Sequence, residues 1–274
     1  MMSALVDEVA DLMREVAARE ILPRFRLLTD GDIEEKSKGD YVTIADRDAE
    51  LWLSPRLEAL LPGSMVLGEE AAAADPKKLS LAQSDAPFWT VDPIDGTGNF
   101  VAGRETFGVM IALVNKGRVR SAWIYFPLSG DLAVAEEGAG AFWHSGDTVQ
   151  RLFAGRSAND VSRISGAFNV RFMAEEWRDR VELFADTVPR KSTYLCSAWD
   201  YVSLARGAHD LVTYNRMMPW DHAPGSLILR EAGGVLRSLD AGADYMPATL
   251  AAPHLAARDE EGWQRFAAAI RNAV

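Results

Sequence analysis

The chain reads as a layered α/β protein, and three observations predict it. Residues Thr106 to Trp143 hold four β-type runs in close succession, Ser162 to Leu239 alternate strands with helices, and an amphipathic helix opens the chain. Alternation of that kind builds sheets covered by helices. A length of 274 residues allows one large domain or two intimately packed ones. Hydrophobic residues at 48% against 25% charged supply the apolar surface for a core on that scale.

The elements follow in order. Over Ser3 to Phe25, Leu5, Val9, Leu12, Met13 and Val16 recur at helical spacing with Asp7, Glu8, Asp11 and Arg14 opposite. Thr29 to Gly39 is polar and glycine-bearing and is expected to be a mobile loop. A second helix carries Ala49, Leu53, Leu57 and Leu60 inward and stops at Pro62-Gly63. Ser64 to Leu67 is a short strand, Ala71 to Ala86 a surface excursion, and Phe88 to Val91 an apolar strand. Phe107–Val114, Val119–Phe126, Leu132–Glu136 and Ala141–Trp143, parted by glycine turns, predict an antiparallel meander. Ser162–Phe168, Ser192–Cys196, Asp210–Tyr214 and Gly234–Leu239 are expected strands. Met173–Thr187, Trp199–Arg206, Asp221–Ala232 and a closing segment around Trp263–Ile270 are expected helices. Polar residues gather between Gly146 and Asn159. The expected boundary there divides an N-terminal half, 1–150, from a C-terminal half, 151–274.

Composition narrows the function. A net charge of −11 with no long Lys/Arg run argues against nucleic acid as a direct partner. A small phosphorylated substrate remains compatible, because bound cations invert local charge. The single cysteine, Cys196, excludes an intrachain disulfide framework and fits a reducing compartment. Met1 to Glu20 carry acids throughout rather than a basic leader and apolar core, and no apolar run reaches bilayer length. A cytoplasmic protein without membrane contact is expected.

The chemistry concentrates in Trp89-Thr-Val-Asp-Pro-Ile-Asp-Gly-Thr-Gly-Asn-Phe100. A strand delivers Asp92 and Asp95 around Pro93 and ends in Gly96, Thr97 and Gly98, small residues that let a backbone approach a ligand. Carboxylates suit Mg²⁺, which binds one or two of them together with substrate phosphate. A helix starting after the turn would aim free N–H groups at that phosphate. Taken singly, the segment is also a plain Asp-Pro-Gly turn. Asp46 opens a helix where the dipole favours acids anyway. Glu69-Glu70 is ordinary acidity after a strand, and Trp220-Asp-His-Ala-Pro-Gly225 an ordinary helix start with Asp221 capping. Their joint occurrence shifts the weight toward a metal site.

That joint pattern resembles the inositol monophosphatase family of Mg²⁺-dependent, lithium-sensitive phosphatases, SuhB-like proteins included, within the wider fructose-bisphosphatase group. The family's Asp-Pro-(Ile/Leu)-Asp-Gly-Thr signature stands at Asp92 to Thr97, and its Trp-Asp-x-Ala-x-Gly signature at Trp220 to Gly225. Gly68–Glu70, Asp40 to Asp46 and Glu231-Ala-Gly-Gly234 match in family order. The resemblance implies an alternating α-β-α-β-α sandwich of the sugar-phosphatase type, with a large N-terminal mixed or antiparallel sheet and a smaller C-terminal one, and a homodimer. It further implies that Glu69, Asp92, Asp95, the Ile94 carbonyl and Asp221 hold two or three Mg²⁺ ions. Thr97, with Glu69 and Asp46, would orient a metal-bound water as nucleophile. The N–H groups of Gly96 and Thr97 would hold the phosphate, and Lys36 would act as a lid, its alternative reading being plain surface charge. The lone Cys196 is not needed as a nucleophile and reads as a small buried apolar residue.

Departures from the family pattern bear on substrate. Gly98 stands where many members carry a second threonine. Tyr214 replaces a glutamate that contacts inositol seven residues before the signature aspartate, and Cys196-Ser197-Ala198 replaces the Gly-Thr-Ala substrate strip. With Asp221 these form the expected substrate wall, and altered walls imply an altered preference. The expected activity is hydrolysis of a small polyol, sugar or amino-alcohol phosphate monoester. Histidinol phosphate or a sugar bisphosphate is the alternative within the class, and a SuhB-like regulatory role in RNA metabolism the alternative outside it. His222 reads as topping a helix or touching substrate. His144, His209 and His254 lack metal-ligand spacing, and Trp199 and Tyr201 read as core or rim aromatics.

Overall fold

The computed structural model describes residues 4–273. Its first helix, α1 (Ala4–Val16), runs on through a π-helical turn at Ala17–Ile21 and a 3-10 turn at Leu22–Arg24. Ser3, the expected start, lies outside the described residues. The expected mobile loop is an ordered hairpin of β1 (Ile33–Ser37) and β2 (Asp40–Thr43), paired from Ile33 opposite Thr43. Gly39 turns it at φ 72°, a left-handed conformation that glycine adopts without strain.

Thr43 then caps α2 (Ile44–Leu60) by accepting a hydrogen bond from Ala45 N. β3 (Met65–Gly68) feeds α3 (Glu69–Ala74), and the surface excursion carries a 3-10 stretch at Pro76–Gln83. β4 (Phe88–Asp95) and the short α4 (Thr97–Val101) carry the Asp-Gly-Thr segment. The meander follows as β5 (Gly108–Asn115), β6 (Arg118–Phe126), β7 (Asp131–Glu136) and β8 (Gly140–Ser145). An unanticipated edge strand, β9 (Thr148–Arg151), exposed throughout, completes it.

The second half comprises β10 (Ser165–Phe168), α5 (Glu175–Thr187), β11 (Arg190–Lys191), α6 (Ser197–Ala205), β12 (Leu211–Arg216), α7 (Pro219–Glu231), β13 (Val235–Ser238), β14 (Ala251–Ala257) and α8 (Glu260–Arg271). Two expectations fail here. Ser192–Cys196 is not a strand: pairing stops at Lys191, and Leu195 turns to φ 52°. The carbonyls of Tyr194 and Leu195 face Asn99 Nδ2 at 2.8 and 3.4 Å rather than a ladder partner. Conversely, β14 forms in what was expected to be the run-up to the last helix, between β12 and β13 in the smaller sheet.

The large sheet has the order β3-β4-β5-β6-β7-β8-β9, parallel only between β3 and β4. The smaller has the order β11-β10-β12-β14-β13. Side chains alternate across a strand, so Phe88 faces one core while Trp89 and Val91 face another. The α1 and α2 side chains Val9, Met13, Leu53 and Leu57 cover the Trp89 face. Tyr201, Leu227 and Ile228 from α6 and α7 fill the space between the sheets. Phe184, Trp263 and Phe266 from α5 and α8 cover the far face of the smaller sheet. The layers run α-β-α-β-α. The segment linking the sheets is pinned by Ala154 N to Ala232 O at 2.9 Å and Ala158 N to Asp210 Oδ1 at 2.8 Å.

Candidate metal and phosphate site

Four elements end at one place, and a sheet irregularity starts it. Along β4, Asp92 pairs with Met110 and Asp95 with Gly108, so Pro93 and Ile94 oppose the single residue between. Proline donates no ladder hydrogen bond and is at home in such a bulge. The bulge sends Asp92 and Asp95 out of the strand. Gly96 follows at φ 88°, where a Cβ would meet Thr106 O at 3.0 Å and Cys196 Cβ at 3.2 Å. α4 begins there, its first internal bonds running from Asn99 and Phe100 to the Gly96 carbonyl. The N–H groups of Gly96 and Thr97 precede those bonds.

Around this turn, Glu69, Asp92 and Asp221 each place an oxygen within 4.8 Å of the others. Glu69 arrives at the start of α3 and Asp221 in the first turn of α7, where Pro219 opens the helix and no side chain caps it. The capping role considered for Asp221 is therefore not its own. Asp95 stands beside the three with Oδ2 committed: it accepts from Ala198 N at 2.6 Å and Cys196 Sγ at 2.9 Å. The segment Cys196–Ala198 thus holds a carboxylate at the start of α6. Cys196 is buried as expected, yet it is a hydrogen-bond donor rather than an apolar filler.

The electrostatics follow from crowding. Burial, then the charges of Glu69, Asp95 and Asp221, pushes Asp92 well above the ordinary carboxylate range. Asp221 rises through burial and then Glu69 and Asp95. Asp95 rises less, to about 6, because donors from Ala198, Cys196 and Ser197 oppose its burial. These crowded oxygens repel one another and suit a hard divalent cation. Cys196 supplies no thiolate, since burial and then Asp95 raise its pKa.

Thr97 faces two acceptors, Ile94 O at 2.9 Å and Asp46 Oδ1 at 3.1 Å. Asp46 is both a helix-start residue and a site residue. Its Oδ2 accepts from Thr43 N at 2.8 Å and Thr43 Oγ1 at 2.5 Å, while Oδ1 faces Thr97. Burial first, opposed by Thr43, brings its pKa to about 7. Lys36, on β1, reaches Glu69 Oε1 at 2.8 Å and Glu70 Oε1 at 3.2 Å. Burial works against its charge, but the two carboxylates outweigh it and raise its pKa. The hairpin is also tied to the second half by Arg216 to Asp40 at 3.1 Å and Arg171 to Gly39 O at 3.3 Å.

Of the expected wall, Tyr214 is buried on β12, stacked on Tyr201 with ring centroids 5.3 Å apart. Its hydroxyl has no hydrogen-bond partner among the described residues. His222 is structural. Its Nε2 lies 2.8 Å from the Arg216 carbonyl, which only accepts, so Nδ1 takes the Tyr201 hydroxyl at 2.9 Å. Burial lowers its pKa to about 3, which keeps it neutral.

Three contributors escaped the sequence reading. Glu50 accepts from Glu70 N at 2.7 Å and Ala71 N at 2.8 Å, fixing the start of α3 that presents Glu69. Gly68 makes room for it, since a Cβ there would lie 2.2 Å from the Glu50 carboxyl carbon. Asn99 bridges Thr106 O and Tyr194 O, and Asp200 is buried beneath the wall on Asn169 Nδ2 at 3.1 Å. A signal for Glu50 existed: it shares the inward helical face of Asp46, Leu53 and Leu57, where an unpartnered acid would be costly.

Bulged carboxylates are met by acids from two helix starts inside five alternating layers. The chain belongs to the inositol monophosphatase family, whose model matches residues 4–274. It is 29% identical over 240 residues to the inositol-1-monophosphatase of Bacillus subtilis, covering 86% of each chain. It is 30% identical over 220 residues to Nus factor SuhB of Escherichia coli, covering 78% of each. The fold matches the extragenic suppressor protein SuhB of Bartonella henselae at a TM-score of 0.79 and 24% identity, over 99% of this chain and 100% of that one. No helix among the described residues is long and apolar enough to cross a membrane.

Proposed function

We propose that the protein is a Mg²⁺-dependent phosphatase of small phosphate monoesters, with an inositol monophosphate-like polyol or sugar phosphate as substrate. The convergence of Glu69, Asp92 and Asp221 beside Asp95 and the Gly96-Thr97 turn carries this reading. Glu69, Asp92, Asp95, the Ile94 carbonyl and Asp221 would hold the ions. Bound there, Mg²⁺ would supply Lewis-acid polarisation of the phosphoryl group and a lowered pKa for an attacking water.

The chain's own groups do the rest. The N–H groups of Gly96 and Thr97 bind phosphate oxygens and meet the charge that grows on them in the transition state. Thr97, held by Asp46 and the Ile94 carbonyl, orients the water by accepting or passing on a hydrogen at Oγ1. Asp46, facing Thr97 Oγ1 at 3.1 Å, is placed to receive that proton. Lys36 balances Glu69 and Glu70 and positions the hairpin as a cover. Residues 1–150 contribute the metal and phosphate groups, and 151–274 contribute Asp221 and Ser197, with the buried Cys196 and Ala198 holding Asp95 rather than facing substrate and Tyr214 buried against Tyr201.

Phosphate release from a panel of phosphomonoesters with Mg²⁺ tests the reading. Asp95→Asn is expected to drop release to background, and Li⁺ in the millimolar range to inhibit the wild type. Equal release by both proteins would leave the second reading, regulation in RNA metabolism, which the relatives named Nus factor SuhB favour. A net charge of −11 favours protein rather than RNA contacts in that case.

A further inference from the structure

A second cavity lies at the other end of α7 from Asp221. Its volume is about 480 Å³, and its walls are the β5–β6 turn, the last turns of α7, β13 and residues 244–247. No candidate metal or phosphate residue lines it. From Asp221 to Arg230 the helix rises about 14 Å, so the two sites share a helix without sharing contacts.

The charge of the cavity is opposite to that of the molecule. Lys116, Arg118, Arg230 and Arg237 line it against one carboxylate, Asp244, in a chain of net charge −11. Arg237 is satisfied, by Asp244 at 2.6 Å and Glu260 at 2.7 Å. The other three cations outnumber their acids. Arg118, through Nε at 3.1 Å and Nη2 at 2.9 Å, and Arg230 at 3.6 Å share the single carboxylate Glu137, which Arg120 also occupies. Lys116 makes no ion pair among the described residues. Between these cations the floor is apolar, formed by Val119 and Leu236, with Met246 at the lip.

We propose that this cavity binds a phosphorylated organic anion of about nucleoside-monophosphate size. The phosphate sits among Lys116, Arg118 and Arg230, and the body lies on Val119 and Leu236. Guanidinium forks match phosphate geometry bidentately, and a flexible lysine adds a point charge. The volume falls in the range of small-molecule sites, roughly 300–1,000 Å³. An inorganic anion alone would leave the apolar floor uncovered. The proposal stands independently of the phosphatase reading.

The test is calorimetric titration of the metal-free full-length protein, in EDTA, with AMP and with adenosine. EDTA leaves the acidic cluster near Asp92 without cations, so that site repels AMP. AMP is expected to bind, to weaken about tenfold or more in Lys116→Gln/Arg230→Gln, and to weaken again at high salt. Met246→Asn, at a half-exposed lip position, is expected to weaken it likewise while adding no charge beside the cations. Adenosine is expected not to bind. The proposal is overturned if AMP fails to bind the wild type at millimolar concentration, if both variants bind it as the wild type does, or if adenosine binds equally well.

Discussion

Replacing Gly225 by alanine tests how α6 and α7 hold the site together. A Cβ at position 225 would lie 2.0 Å from Tyr201 Cδ2 and 2.1 Å from Cγ, in a ring that is fully buried. Ordinary contact begins near 3.4 Å, so the ring or the helices must separate by about 1.4 Å. Overpacking of this kind costs about 1–3 kcal/mol. Shifting the ring also strains the 2.9 Å bond from its hydroxyl to His222, worth about 1 kcal/mol net. The expected loss is about 3 kcal/mol, read as a lower urea midpoint at unchanged slope. Tyr201→Leu in the same background should recover part of it, because the smaller side chain leaves room for the methyl group. A Gly225→Ala protein within 0.5 kcal/mol of wild type, or a double mutant showing no coupling, would refute the reasoning.

Three further outcomes are expected. Glu50→Ala should cost about 2 kcal/mol in urea unfolding by orphaning the Glu70 and Ala71 N–H groups, with Glu50→Gln retaining about half; equal midpoints for all three proteins would count against the capping role. Gly98→Ala should stabilise by about 0.5 kcal/mol, since the added Cβ meets only Tyr41 Cδ2 at 3.8 Å and helix entropy improves; a lower midpoint would contradict this. Asp200 is raised to about 7, chiefly by burial, so the folded state holds its proton more tightly than the unfolded chain. Its contribution is fully present below the ordinary carboxylate range and lost as pH rises through about 7. Asp200→Asn should therefore fall less in unfolding midpoint than wild type between pH 5 and pH 8, and parallel curves would sink the assignment.

What the sequence made legible was whatever carries a period or a constrained signature. The stripe of Val9, Met13 and Val16 and the β-type runs parted by turns from β4 to β8 exposed the first two layers directly. Asp92, Asp95, Glu69 and Asp221 were readable only together, as segments in family order, since each alone reads as a turn or a helix start. The β1–β2 hairpin was not: Ile33-Glu-Glu-Lys-Ser37 is a polar, largely exposed strand whose ordering comes from cross-strand bonds and from Lys36 on Glu69. β14 hid because alanines and Pro253 have low strand propensity, and its place between β12 and β13 overrides that. Ser192–Cys196 misled for the opposite reason. Its apolar Tyr-Leu-Cys run is spent on bringing two carbonyls to Asn99, a contact 95 residues away in the chain that no local pattern encodes. Cys196 holding Asp95 was equally hidden, since a thiol reads as apolar until its neighbour is known.

Being the sole thiol of the chain and buried against Asp95, Cys196 doubles as a native reporter. A thiol reagent can reach it only when the corner between α4 and the start of α6 swings open. Its labelling kinetics therefore clock the breathing of that corner, with no engineered tag. A ligand that clamps the Gly96 turn would slow the clock, whereas one bound elsewhere would leave its pace alone.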